Sequence, residues 1–167
     1  MTILLVRLAR LSAVLAGMLL VAITGLTVAS VAGRSLAGAA INGDFELAAF
    51  AAGAAVALFM PWCQVRRGNI IVDFFTVKAT DRARDSMDRF GALMLAAVMA
   101  LLTWRSALGG LNAWRTGSGS MMLGFPEWVV FGCMVPALAL TALIALDQAL
   151  RGFDSYEALS ARGLDRG

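Results

Sequence analysis

Four long apolar runs limit what this chain can fold into. They occupy residues 11–33, 47–65, 90–111 and 128–150 and have 19 to 23 residues each. A helix needs roughly 20 apolar residues to cross the hydrocarbon core of a bilayer, whereas a transmembrane strand needs only about 10 and alternates in polarity. No such alternation is present. The runs therefore predict transmembrane helices over about 11–33, 47–65, 90–111 and 127–150, in a single membrane domain covering 1–167.

The composition agrees with an integral membrane protein. Apolar residues make up 60% of the chain and charged residues 15%, against about 25% charged in soluble domains. A water-soluble domain of this size has too little interior to bury so much apolar surface. The first run also exceeds the 7 to 15 residues of a typical signal-peptide core, so we expect it to be retained as a helix. The fold class is all-α.

The basic residues predict the orientation. Eleven of the 14 Lys and Arg residues lie in the N-terminal tail, in the loop between the second and third helices, or in the C-terminal tail. Cytoplasmic segments of membrane proteins carry an excess of Lys and Arg. Both termini and the central loop are therefore predicted to be cytoplasmic, which requires an even number of spans.

The central loop has helical periodicity. Within residues 70–89, apolar side chains recur every three to four positions, while most of the charged side chains fall elsewhere on the helix. An amphipathic helix between two spans suits the bilayer surface; the alternative is a solvated cytoplasmic hairpin. We expect an in-plane helix over about 70–89. Its lipid contacts would be Val72, Phe75, Ala79 and Met87.

Several classes of function lack their chemistry here. The chain has no histidine and only two cysteines, Cys63 and Cys133, which are not closely paired. Histidine is the commonest general base and a common metal ligand, and thiol-disulfide enzymes need paired, exposed thiols. No nucleophile motif or phosphate-binding loop is present, and the modest charge of +3 is explained by topology rather than by nucleic acid. We expect no catalytic, cofactor-binding or metal-binding residue.

Two ionisable residues interrupt the apolar runs and are functional candidates by default. Arg105 is expected near the outer interface, where it could snorkel to the headgroups or meet Glu46 or Glu127. Asp147 is expected near the cytoplasmic headgroups. The middle of every run is uncharged, which argues against an ion channel or a proton-coupled pump acting alone.

Small residues are frequent in the first two runs, for example in LAAFAAGAAVALF. Small side chains let membrane helices approach closely. They serve either the packing of the four helices on one another or the docking of a larger membrane partner, and both readings stay open. The four tryptophans lie near predicted helix ends, as interface anchors do. They are Trp62, Trp104, Trp114 and Trp128.

Three stretches carry a family resemblance. They are AGRSL, at the end of the first helix, FELAAFAAGAAVALFMPWCQVRRGNIIVDFF, around the second helix, and LGFPEW, which opens a fourth helix containing Pro136. With this order of elements, nearly the whole chain resembles the DctQ-type small membrane subunit of tripartite ATP-independent periplasmic (TRAP) transporters. The most specific segment is RRGNIIVDFF, although the family usually has His where this chain has Asn69.

The resemblance implies a bacterial or archaeal inner-membrane complex. In such a complex a larger membrane subunit holds the sodium and substrate sites, and a soluble periplasmic protein delivers an organic acid such as a dicarboxylate or sialic acid. The small subunit acts as a scaffold in the lipid and offers its outward surface to the binding protein. We expect the polar residues of the short outward segments to make that contact. They are Arg34, Asp44, Glu46 and Arg115.

Other four-helix membrane proteins fit less well. A small multidrug exporter needs a membrane-embedded glutamate, and a quinone-linked disulfide enzyme needs two reactive cysteine pairs. The alternative that remains is a non-catalytic membrane anchor or assembly subunit of another complex.

Overall fold

The computed structural model describes residues 2–37, 43–66, 81–153 and 156. They form four helices: α1 (Thr2–Ala37), α2 (Asp44–Val65), α3 (Asp81–Thr116) and α4 (Trp128–Arg151). All four are long and apolar enough to cross a membrane. Within these ranges the only β pairing is one isolated bridge, between Gly119 and Pro126. The prediction of an all-α protein with four transmembrane helices is confirmed.

Helices α1 and α3 are longer than their apolar runs. Each has 36 residues, or about 54 Å at 1.5 Å per residue, against a hydrocarbon thickness of about 30 Å. Most of the extra residues precede the apolar runs and include Arg7, Arg10 and Arg89; the rest follow the runs and include Arg34 and Arg115. Arginine is a good helix former, so leaving the bilayer does not by itself end the helix. The apolar run therefore marks the span rather than the helix.

The helix of the third span begins earlier than expected, within the segment predicted to lie in the membrane plane. Residues 81–89, expected to belong to a separate in-plane helix, are continuous with α3 and show no break. Met87 is 48% exposed there. The other expected lipid contacts, Val72, Phe75 and Ala79, lie outside the described residues, so the in-plane helix stays a prediction.

The helices pack in a row. α1 lies along α2, α2 against α4, and α4 along α3, while α1 touches α4 only lightly. α3 thus joins the bundle almost entirely through α4. Many buried residues at these contacts are small, including Ala55 on α2, Ala92 on α3 and Ala145 on α4. Such side chains let the backbones approach closely, so part of the small-residue pattern serves packing within this chain.

The bundle has two distinct ends. We call one the loop end; it holds residues 117–127, which join α3 to α4, and the start of α2. We call the other the tail end; it holds the start of α1, the ends of α2 and α4, and Tyr156. The tail end contains a buried apolar cluster drawn from all three helices and the C-terminal segment. Its members are Leu5, Ala9, Val65, Ile144 and Tyr156.

Candidate functional site

At the loop end, the connection between α3 and α4 is an ordered turn rather than the linker that its Gly and Ser content suggests. Gly119 and Pro126 form an antiparallel bridge. Inside it, the Ser120 N–H donates to the Phe125 carbonyl at 2.9 Å, and the Gly124 N–H donates to the Ser120 carbonyl at 3.0 Å. Gly124 has a φ of 63°, a left-handed conformation that glycine adopts without a Cβ penalty. The turn therefore has a defined shape.

This turn is fixed to the start of α2. The Met122 N–H donates to both carboxylate oxygens of Glu46 at 3.2 Å. Gly43, just before α2, is buried with a φ of 78°. A Cβ at Gly43 would overlap the Leu123 side chain, so the turn closes directly over a glycine. The loop end is thus one connected unit of α2 and residues 117–127.

The tip of the turn is apolar and exposed. Met121 is fully exposed and Met122 is 74% exposed. Beneath them, the rings of Phe50 and Phe125 lie 6.2 Å apart between centroids. The packed base and its hydrogen bonds to α2 hold the two methionines outward at the loop end.

The four expected binding-protein contacts divide into two pairs. Asp44 accepts a hydrogen bond from the buried Ser30 hydroxyl of α1, and Glu46 holds the turn as described. Both carboxylates therefore make bonds that shape the loop end. Arg34 and Arg115, in the last turns of α1 and α3, are exposed. These two guanidinium groups are the ones turned outward.

Arg105 lies on α3 within the span Ser86–Thr116 and is exposed. It forms no ion pair with Glu46 or Glu127, the expected partners, and no hydrogen bond with any residue that the structure describes. An arginine at the centre of a membrane helix costs about 2.5–3.5 kcal/mol even on lenient scales. The chain itself offers this charge no compensation among its described residues.

Asp147, the other candidate, is only 6% exposed. Its carboxylate accepts a hydrogen bond from the Tyr156 hydroxyl at 2.7 Å and one from the Thr2 hydroxyl at 3.4 Å, and it pairs with Arg151 at 2.9 Å. Gly152, with a φ of 85°, ends α4 just before the segment that carries Tyr156. Asp147 therefore joins α1, α4 and the C-terminal segment within the chain.

Burial of Tyr156, and its bond to the Asp147 carboxylate, raise the pKa of the phenol well above its usual range. Desolvation disfavours the phenolate, and the neighbouring negative charge disfavours it further. At neutral pH the phenol is thus fixed as a hydrogen-bond donor to Asp147.

A second polar contact at the tail end joins two glutamines and was not predicted from the sequence. Gln64 of α2 and Gln148 of α4 are both fully buried. The Gln64 side-chain amide donates to the Gln148 side-chain oxygen at 2.7 Å, and the Gln148 amide donates to the Gln64 backbone carbonyl at 3.2 Å. The available signal was a glutamine near the end of each of two apolar runs.

Two clefts between the helices are apolar. A cleft of about 380 Å³ between α3 and α4 includes Trp114 and Trp128, and one of about 240 Å³ between α1, α2 and α4 includes Phe50 and Cys133. No charged side chain lines either cleft. In the described part of the chain, no group of three or more Cys, Asp and Glu residues is placed to hold a metal ion. These clefts offer volume for apolar groups and present no acidic or basic side chain; Cys133 supplies the one thiol among their lining residues.

Comparison with known proteins gives one match. The family model described as tripartite ATP-independent periplasmic transporters, DctQ component, matches residues 23–155. No curated protein and no solved structure matches significantly. The matched range contains all of α2, α3 and α4, the turn at the loop end, and the Asp147 contacts with Arg151. This membrane protein of four long apolar helices belongs to the DctQ family, the small membrane subunits of TRAP transporters.

Proposed function

We propose that this chain is the scaffold subunit of a sodium-coupled TRAP transporter for organic acids, of the dicarboxylate or sialic-acid type, in a bacterial or archaeal inner membrane. A large membrane subunit holds the sodium and substrate sites and moves against this chain. A periplasmic substrate-binding protein docks at the loop end, which faces the periplasm. The chain itself binds no cofactor and catalyses no reaction.

The observation that carries this proposal is the arrangement of charge in the spans. In the described parts of the spans, the charged residue that lies well inside is Arg105, and it is exposed on the outer surface of the bundle. The Asp147 carboxylate accepts a hydrogen bond from Tyr156 and forms an ion pair with Arg151. A transport site needs polar groups that converge on a cavity, and the cleft between α3 and α4 and the one between α1, α2 and α4 are both apolar. Support of a moving partner requires no such site.

The loop end supports the docking role. Its turn is fixed to α2 through Glu46, and Asp44 ties α2 to α1 through Ser30. We assign these two carboxylates to the positioning of the surface. Arg34 and Arg115 then supply exposed positive charge, which steers a soluble partner and sets its orientation more than its final affinity.

Lipid is the other proposed partner. Residues 70–80 are proposed to lie along the membrane surface, with Val72, Phe75 and Ala79 in contact with lipid, whereas Met87 belongs to α3. Cysteine variants at these three positions should react more slowly with a membrane-impermeant maleimide than a cysteine at Asp81. Equal labelling at all four positions would reject the in-plane helix.

The test of the whole proposal is transport in proteoliposomes that contain both membrane subunits, with the binding protein, an organic acid and a sodium gradient. Arg34→Glu should lower the rate several-fold while both subunits still co-purify, because it reverses charge at the docking surface alone. Arg7→Glu, at the tail end, is the matched control and should leave the rate unchanged. Unchanged transport by Arg34→Glu would remove this residue from the docking surface. Transport by this chain without the large subunit would contradict the scaffold role.

A further inference from the structure

One side of α3 is covered by none of the residues that the structure describes. Its residues recur at spacings of three, four and seven along the helix, which places them on one face. We call this the open face; it consists of Met94, Leu101, Trp104, Arg105 and Leu108. The four apolar members are 44–65% exposed, and α3 meets the rest of the bundle almost entirely through α4.

The position of Arg105 along α3 sets its depth. It lies nine residues before Trp114, whose ring packs edge-on against Trp128 with 4.6 Å between centroids. Nine residues correspond to about 13 Å of helix, and paired tryptophans at helix ends mark the membrane interface. In the other direction, Arg89 is sixteen residues away, or about 24 Å. Arg105 is therefore inside the hydrocarbon, nearer to the loop end, and deeper than the interfacial position expected from the sequence; Trp104 beside it lies at the same depth.

A lipid headgroup is poorly placed to compensate this charge. The nearer headgroups lie at the level of Trp114, towards the C-terminal end of α3. Side chains of an α-helix tilt towards its N-terminus, so the Arg105 side chain starts out in the opposite direction, towards the middle of the bilayer. An oxygen acceptor at the depth of Arg105 itself has to come from protein.

We infer that the open face of α3 is the surface on which the large membrane subunit docks. The helix seated there offers Arg105 a carboxylate or a free backbone carbonyl, and its apolar side chains cover Leu101, Trp104 and Leu108. This inference rests on the proposed function and adds which helix of the small subunit faces the partner. The exposed side of α1, which includes Val21 and Val28, carries no charge between residues 11 and 33. Contact with lipid tails is enough to cover such a surface.

Photo-crosslinking in the assembled two-subunit complex tests the surface. A benzophenone amino acid at Leu101 or at Leu108 should give a covalent product with the large subunit. The same probe at Val21 of α1 is the matched control and should give none. Products with the large subunit from Val21 alone, or products with lipid alone from Leu101 and Leu108, would overturn the inference.

Substitution of Arg105 tests the charge. With an affinity tag on the large subunit, Arg105→Glu should lower the co-purified small subunit at least tenfold, and Arg105→Lys should recover most of it. Arg115→Glu, a charge reversal beyond the hydrocarbon on the same helix, should co-purify as the wild type does. Full co-purification of Arg105→Glu would overturn the inference and leave the proposed function standing. If the wild-type chain does not co-purify with the large subunit, the proposed function fails.

Discussion

Polar groups at the tail end are buried and hydrogen-bonded within the chain, whereas the charged group on the open face of α3 is exposed. At the tail end, Asp147 is almost fully buried and has three partners within the chain, and Gln64 and Gln148 satisfy each other. On the open face, Arg105 is exposed on the surface of the chain, and no described residue compensates its charge.

The difference separates two roles for polar residues in membrane helices. A buried group with complete hydrogen bonding stabilises the subunit itself, because its loss leaves a partner unsatisfied. An exposed charge in a span contributes nothing to the isolated fold, and it becomes useful when another protein covers it. Variants at the tail end should therefore change the stability of the subunit, and variants on the open face should change its assembly.

The largest expected effect is that of Asp147→Ala. The change leaves the buried Tyr156 hydroxyl without its acceptor, and an unsatisfied buried group costs about 1–3 kcal/mol. We expect the free energy of unfolding in detergent micelles, measured by titration with SDS, to fall by about 2–3 kcal/mol once the other lost bonds are included.

Asp147→Asn is the control for this change. It keeps an oxygen acceptor for Tyr156 and loses only the ion pair with Arg151, whose side chain is 60% exposed. Exposed pairs contribute about 0–1 kcal/mol, so the loss should stay below about 1 kcal/mol. If Asp147→Ala lowered the free energy of unfolding no more than Asp147→Asn does, the hydrogen bonds of Asp147 would not be what stabilises the tail end.

Sequence patterns predicted the spans well and the tail end poorly. Runs of about 20 apolar residues identify membrane helices because the bilayer imposes that length. The partners of Asp147 depend on how the chain turns after Gly152 and on the position of Thr2, which is 145 residues away. No local pattern contains that information.

The loop end shows the same limit. A Gly- and Ser-rich segment predicts a turn, and residues 117–127 do form one. Its attachment to Glu46 joins residues 76 positions apart, so it follows from the packing of α2 near α4. Of the expected contacts, Arg34 and Arg115 are exposed as a docking role requires, whereas the internal bonds of Asp44 and Glu46 could not be foreseen.

The glutamine pair should show strong coupling. Gln148→Leu removes both hydrogen bonds that the Gln148 side chain makes with Gln64 and should lower the free energy of unfolding by about 1–2 kcal/mol. Gln64→Leu should cost a similar amount. The double variant removes donor and acceptor together and should cost less than the sum of the singles by about 1 kcal/mol. Additive losses in this double-mutant cycle would mean that the two side chains do not depend on each other.

The pH dependence of stability provides a smaller effect at the tail end. The pKa of Tyr156 is raised in the folded chain, so above pH 10 the unfolded chain loses a phenolic proton that the folded chain keeps. Stability should therefore be unaffected by this group below pH 10 and should fall above it, by at most about 1.4 kcal/mol per pH unit. The free energies of unfolding of the wild type and of Tyr156→Phe, compared between pH 8 and pH 11, isolate the contribution of this phenol. Parallel curves for the two proteins would contradict it.

The smallest effect on the isolated subunit is expected from Arg105→Leu. With no partner for Arg105 among the described residues, its removal leaves no group of this chain unsatisfied, and surface changes of this kind usually stay within about 0.5 kcal/mol. The free energy of unfolding of the isolated subunit should therefore match the wild type, while assembly with the large subunit should be weakened. Leu108→Ala on the same face is the control for lost apolar area without a change of charge. A loss of more than about 1 kcal/mol for Arg105→Leu in the isolated subunit would show that Arg105 is satisfied within the chain. The open face would then resemble the tail end, and the need for a protein partner at Arg105 would disappear.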